Sequence, residues 1–469
     1  MSPLNNLQNN IFVQILAEYI MKSTLKIKDF GPIKEVDLVL RNVNVFIGPQ
    51  ASGKSALAKI FTIFKSPRKF LKETSEVSQD QTHRYSTEII LEVLKLFNID
   101  TFLNPSTEIC FESEVHKISL INGEVIYESK LLNIVKQLKS FQEDFENNRD
   151  LITKKIYSLF EHFALFHIRA TRYLKENDLM PQEGFASLQQ TKNLDQSGVK
   201  ELINILEQIE IGLSTNAAIY IPAERIIANI IKDSLANLLL NEVPIPKHIL
   251  SFAAELEKLN AKSIDLGFIQ ENLVYKLENG SPKIYINNSN CISLEAAASG
   301  IQSVIPILAF ADKMRSTDHK SFVIEEPELN LFPSAQYRLI ELIESMRNDP
   351  SLHWEDLGII HTYTTHSPYI LSALNNFLYA HKVIQSSYVN NVGTTYEEDK
   401  KARESMSKKV KAIVKAEINP HSFTAYQIKG GYATPIFNEK EGLISENFID
   451  NSTDAINDDF DKLMELKSE

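Results

Sequence analysis

The run Gly48-Pro49-Gln50-Ala51-Ser52-Gly53-Lys54-Ser55 follows directly on the apolar stretch Val43, Val45, Phe46 and Ile47, and no other feature restricts the fold as much. A phosphate-binding P-loop needs that context: a strand, a turn whose backbone N–H groups wrap phosphate oxygens, and a helix whose positive N-terminal end faces them. The helix is predicted immediately afterwards, from Ala56, Leu57, Ala58, Ile60, Phe61, Ile63 and Phe64. The pattern therefore predicts a site for ATP or GTP built from Gly48 to Ala56. In it Lys54 reaches the β- and γ-phosphates and Ser55 places its hydroxyl on Mg²⁺.

At 469 residues the chain exceeds one ordinary core, so two or three sub-structures are expected. A net charge of -12 argues against a protein that coats nucleic acid with its whole surface, although a local basic patch remains compatible. The two cysteines, Cys110 and Cys291, have no paired spacing, which excludes a disulfide framework and a cysteine zinc site and fits a reducing compartment. No apolar run approaches the roughly eighteen residues of a membrane helix. The run from Ile11 to Met21 is short, carries Glu18 and lacks the marks of a signal peptide. A cytoplasmic protein without a membrane partner is expected.

Alternation at Leu25, Ile27 and Phe30, then at Val36, Leu38 and Leu40, predicts two strands around the Gly31-Pro32 turn. Residues 107–128 alternate again around Asn122-Gly123, a strong hairpin signal, and predict a small antiparallel sheet. From Leu131 the period becomes three and four, through Ile134, Val135, Leu138, Phe141 and Phe145. The expected division is an N-terminal extension over 1–21, the first half of a nucleotide-binding head with the hairpin region over 22–129, a mainly helical insertion over 130–282, and the second half of the head with a C-terminal helix over 283–469. The segment from Ala218 to Arg225 reads as a strand interrupting the insertion.

Ser321-Phe322-Val323-Ile324-Glu325-Glu326-Pro327-Glu328 is an apolar strand ending in acids, the form of a Walker B element. Glu325 is expected in the Mg²⁺ shell and Glu326 is expected to orient and polarise the attacking water. Glu325 stands where Asp is more usual, so its metal contact is expected to run through water. Ser299 and Gly300 precede a good helix and either cap it or offer a hydroxyl and free N–H groups to an anion. The stretch Ile359 to Pro368 predicts another strand that ends at His366, a candidate sensor of the γ-phosphate.

The order P-loop, Ser-Gly helix start, Glu-Glu strand end, His strand end resembles the ABC-type ATPase heads of the SMC and RecF class. It is most similar to the stand-alone AAA-labelled ATPases related to the overcoming-lysogenization-defect family. The residues that carry the resemblance are Ile324-Glu325-Glu326-Pro327-Glu328 with Asn330, Leu331 and Pro333, and Thr365-His366-Ser367-Pro368-Tyr369-Ile370-Leu371. It implies an α/β fold, an ABC-type P-loop head with an antiparallel β subdomain and a helical insertion. It further implies a head-to-head dimer or higher homo-oligomer in which Ser299-Gly300 of one copy completes the ATP site of another. The family's glutamine loop falls on Gln79 or Gln81.

A fused nuclease would need an apolar strand ending in Glu and a later Asp-x-Asp strand. The stretch Lys382-Val383-Ile384-Gln385 ends in no acid, and Asp458, Asp459 and Asp461 fall in an amphipathic helix with Ile456, Phe460, Leu463 and Met464. The chain reads as the ATPase alone. Two functional readings follow. One is the sensor ATPase of an anti-phage defence system, similar in architecture to the ATPase of the PARIS system, which controls a separate nuclease or toxin effector and answers to DNA or a phage protein. The other is a RecF/SMC-like ATPase of DNA repair or recombination. The bases Lys400, Lys401, Arg403, Lys408, Lys409, Lys411 and Lys415 are a candidate DNA surface, but Glu397, Glu398, Asp399 and Glu404 are interleaved, as on a plain solvated helix.

Overall fold

Every residue of β3 (Val43–Ile47) is buried, with Val43, Val45 and Ile47 in one apolar core and Phe46 in another. A strand apolar on both faces needs cover on both, which only a sheet between two layers provides. The computed structural model describes residues 23–65, 79–113, 116–142, 218–231, 245–259, 261–287, 290–313, 321–347, 359–389, 396–445 and 457–464, with 151, 200, 203, 447 and 449 as single positions. Residues 1–21 and most of 143–217 lie outside this set.

Among the described residues one sheet has 11 strands. Its parallel part runs β14 (Phe423–Lys429), β3, β13 (His361–Thr365), β12 (Phe322–Glu325) and β7 (Ile219–Ile221). Its antiparallel part runs β6 (Glu124–Ser129), β5 (His116–Ile121), β4 (Glu108–Glu112), β1 (Ser23–Phe30) and β2 (Ile33–Leu40). The strand β15 (Tyr432–Pro435) joins the two, antiparallel to β14 and parallel to β2. One face is covered by α1 (Lys54–Lys65) and α2 (Gln79–Leu96). The other is covered by α5 (Lys247–Leu259), α6 (Ser299–Lys313), α7 (Pro333–Arg347) and α8 (Pro368–Val389). Shorter or peripheral helices are α3 (Lys130–Gln142), α4 (Arg225–Ile231) and α9 (Tyr396–Lys411). This is the expected α/β architecture, with the P-loop following the buried parallel strand β3. No helix among the described residues is long and apolar enough to cross a membrane.

Two expectations change. The hairpin at Asn122-Gly123 is present, but its strands do not form a separate small sheet. β4 pairs with β1 from Thr24 opposite Glu112 to Lys28 opposite Glu108, so the hairpin extends the main sheet and covers an edge of β1 that would otherwise be open. The end of the expected helical insertion is also β structure. β8 (Ser263–Asp265), β9 (Val274–Glu278), β10 (Ser281–Tyr285) and β11 (Cys291–Ser293) make a second, antiparallel sheet of 4 strands. Its β9–β10 turn is Asn279-Gly280, with φ of 50° and 79°, the same signal as at 122–123, with alternating Leu273, Tyr275 and Leu277 leading into it. Lys382 to Gln385, which end in no acid, lie inside α8.

Candidate functional site

Parallel strands deliver their C-terminal ends to one edge of a sheet, and ligands bind there. At this edge β3 runs into the P-loop, its neighbour β13 runs into His366, and β12 beyond it ends at Glu325. Strands spaced by about 4.8 Å therefore bring the three motifs within reach of one nucleotide.

The P-loop turns through Gly48 at φ 155°, Ala51 at φ 57° and Gly53 at φ 103°. A Cβ on Gly48 would stand 2.1 Å from the Ile428 carbonyl oxygen of β14, so only glycine fits beneath that strand. The α1 helix begins at Lys54, and Leu57 N–H bonds the Gly53 carbonyl at 2.9 Å. Lys54 is buried and donates to the Gly48 and Pro49 carbonyl oxygens, each at 2.9 Å. Burial lowers its pKa, and the charges of Glu326, Glu325 and Glu328 oppose that shift. The buried Ser52 hydroxyl has no hydrogen-bond partner in the protein.

Glu325 ends β12 with its side chain buried, and burial raises its pKa against the opposing effects of Lys59, Tyr220 and Ser55. Its Oε1 has no hydrogen-bond partner. A buried carboxylate with an orphaned oxygen beside the Ser55 hydroxyl is an oxygen donor set that suits a hard cation such as Mg²⁺. Among the described residues no group of three or more His, Cys, Asp or Glu is placed to hold a metal ion.

Glu326 adopts φ 44°, a left-handed conformation that costs a non-glycine residue about 1 kcal/mol or more and persists where the surroundings enforce it. Its N–H bonds the Thr364 carbonyl at 2.9 Å. Its Oε1 lies 3.7 Å from His366 Nε2. Burial lowers the His366 pKa, Lys54 adds to this and Glu326 opposes it. Lys54, Ser55, Glu325, Glu326 and His366 thus share one electrostatic neighbourhood.

Ser299 and Gly300 open α6, with Ser299 exposed and Gly300 buried. A Cβ on Gly300 would lie 2.4 Å from the Asn330 carbonyl oxygen, so the glycine serves a close approach to the loop after Glu328 within the same chain. Gln79 and Gln81 fall in the first turn of α2, with their side chains outside the described residues. The bases Lys400, Lys401, Arg403, Lys408, Lys409 and Lys411 fall on α9 and Lys415 lies beyond it, where its N–H is tied to Glu341 at 3.0 Å.

Two residues of the site carry no role in the sequence reading. Glu328 accepts the Thr365 hydroxyl at 2.8 Å and the His366 N–H at 2.7 Å through Oε1, and so fixes the backbone that presents His366. Arg225 is fully buried and bonds the main chain at Glu325 and Glu326. Glu328 stood in a run of acids that invited one role for its first two members only. Arg225 is visible in sequence only as the end of Ile-Pro-Ala-Glu-Arg, because nothing local distinguishes a buried arginine from a surface one.

With this geometry in place, the family of AAA ATPase domains matches residues 21–371. No curated protein matches the chain. Similar solved structures include the Smc head bound to the C-winged helix domain of ScpA, at 9% identity and TM-score 0.38 over 89% of this chain and 97% of that one. The Smc head with an extended coiled coil bound to the C-terminal domain of ScpA from Pyrococcus furiosus has 11% identity and TM-score 0.32, over 89% and 96%. The SMC head domain from Thermotoga maritima has 11% and 0.32, over 89% and 98%.

Proposed function

The chain belongs to the AAA ATPase domain family, and on that premise we propose that it is an ATP-driven switch that controls a separate effector protein in anti-phage defence. The observation that supports a hydrolytic switch is the meeting of Lys54, Glu325, Glu326 and His366 at one sheet edge. In this reading the P-loop N–H groups and Lys54 hold the triphosphate, while Glu326 orients and polarises the attacking water. His366 donates to the γ-phosphate. Ser55 and Glu325 would hold Mg²⁺, which would supply neutralisation of the phosphate charge. In this reading Ser299 and Gly300 at the start of α6 meet the nucleotide of a second copy, so ATP draws two heads together and hydrolysis releases them.

The defence assignment rests on the motif resemblance to the overcoming-lysogenization-defect group and to the PARIS ATPase. It also rests on the long stretch between α3 and α5, which is more chain than nucleotide binding requires and can present a partner surface in one head state and hide it in the other. The test is co-expression with the neighbouring gene product and pull-down in ATP, using the wild type and Glu326→Gln. The variant is expected to bind ATP, to lose hydrolysis by about 10²–10⁴-fold, and to retain the partner in one nucleotide state. No partner in either state, together with ATP-dependent loading of the isolated chain on gapped DNA, would transfer the assignment to a repair ATPase.

A further inference from the structure

Arg225 is among the largest wholly buried side chains of the protein. A buried guanidinium ordinarily meets a carboxylate or phosphate, but this one meets main-chain carbonyl oxygens on three sides. Its Nε donates to Ser303 at 2.9 Å, Nη1 to Pro222 at 3.1 Å and Glu325 at 2.7 Å, and Nη2 to Glu326 at 2.8 Å. The last two acceptors are consecutive carbonyls at the end of β12, and the second belongs to the residue held at φ 44°. A return of Glu326 to an ordinary backbone conformation would redirect that peptide and break the Nη2 bond. Ser303 lies in the second turn of α6, the helix that begins at Ser299.

We propose that Arg225 is a positioning residue: it locks the main chain at Glu325 and Glu326 so that the Glu326 carboxylate stays beside His366, and it ties that arrangement to the helix beginning at Ser299. The inference rests on the reading of Glu326 as the acid that orients water. Burial lowers the Arg225 pKa to about 10, with the charges of Glu328, Glu326, Glu325 and Glu224 opposing, so the group is charged at neutral pH and its bonds are charge-assisted. Lysine keeps the charge but cannot fork between separate carbonyls.

The test uses the full chain with Arg225→Lys, Arg225→Gln and Glu326→Gln, measuring the melting temperature, ATP affinity by fluorescent-nucleotide titration, and single-turnover hydrolysis. Arg225→Lys is expected to bind ATP within about threefold of wild type and to hydrolyse it at least about tenfold more slowly. Added to Glu326→Gln it should remove nothing further, because a residue that acts through Glu326 has nothing left to position. A wild-type hydrolysis rate in Arg225→Lys would overturn the proposal while leaving Glu326 intact. So would an additive loss in the double variant, which would assign Arg225 an effect of its own. Failure of both Arg225 variants to fold would make the residue a stability element alone. Normal hydrolysis by Glu326→Gln would remove the reading of Glu326 itself, and the inference with it.

Discussion

Gly300→Ala separates the two roles available to the start of α6. The added methyl carbon would stand 2.4 Å from the Asn330 carbonyl oxygen and 3.4 Å from the Asn330 carbonyl carbon and Leu331 Cδ2. Against an optimal heavy-atom separation of about 3.5 Å, the helix and the loop must part by about 1 Å. Overpacking of this kind costs about 1–3 kcal/mol, offset by about 0.5–1 kcal/mol from replacing glycine in a helix. The net is a loss of about 1–2 kcal/mol, or a few °C in melting temperature, without nucleotide. The displaced loop is bonded to the turn that presents Glu326, Leu329 N–H to Glu326 at 3.1 Å and Leu331 N–H to Glu328 at 3.0 Å. A shift near 1 Å at Glu326 is worth about 10²-fold in rate. Thermal unfolding of the nucleotide-free protein, ATP titration and phosphate release together read this out. The expected result is a lower melting temperature, ATP affinity near wild type and a rate reduced by about 10²-fold. Ser299→Ala, which changes an exposed hydroxyl, should leave the melting temperature unchanged while slowing hydrolysis if a second copy uses it. An unchanged melting temperature and rate in Gly300→Ala would refute the intrachain packing argument.

Lys54→Ala should abolish nucleotide binding at micromolar ATP, and retained tight binding would count against the P-loop assignment. Glu344 is wholly buried; burial would raise its pKa, but Arg347, His361 and Tyr363 outweigh that and hold it down to about 2. Its folded pKa lies below the ordinary 4.5, so the stability it contributes, on the order of 3 kcal/mol, is present above pH 4.5 and lost as pH falls through 2. Urea midpoints between pH 5 and 2 should fall steeply in the wild type. They should fall less in Glu344→Gln, which itself costs on the order of 3–5 kcal/mol at pH 7. Lys65, bonded to the Ser321 hydroxyl at 3.0 Å, has its pKa lowered by burial to about 7. The folded state then binds fewer protons than the unfolded chain between pH 7 and 10.5, so stability rises across that window and the full penalty applies below it. Lys65→Met should raise the melting temperature at pH 6 more than at pH 9, and an equal change at both would refute the buried-charge account.

The sequence by itself determined the elements whose chemistry is local. Gly48 to Ser55 after a buried, mainly apolar strand, Glu325 after Phe322-Val323-Ile324, and His366 after a short run of β-branched and aromatic residues each carry their signal within a dozen positions. Strand period, turn glycines and helix starts act at that range. The tertiary structure alone decided which of these ends lie side by side. It placed β13 between β3 and β12, and it inserted β14, more than 370 residues beyond β3, directly beside the P-loop strand. Phe423 and Ala425 face one core and Tyr426 and Ile428 the other, and no local pattern tells which neighbour this strand pairs with. Arg225 shows the same limit most sharply. A guanidinium belongs at the surface unless acceptors converge on it, and the carbonyls of Pro222, Ser303, Glu325 and Glu326 converge only when three separate segments of chain have packed.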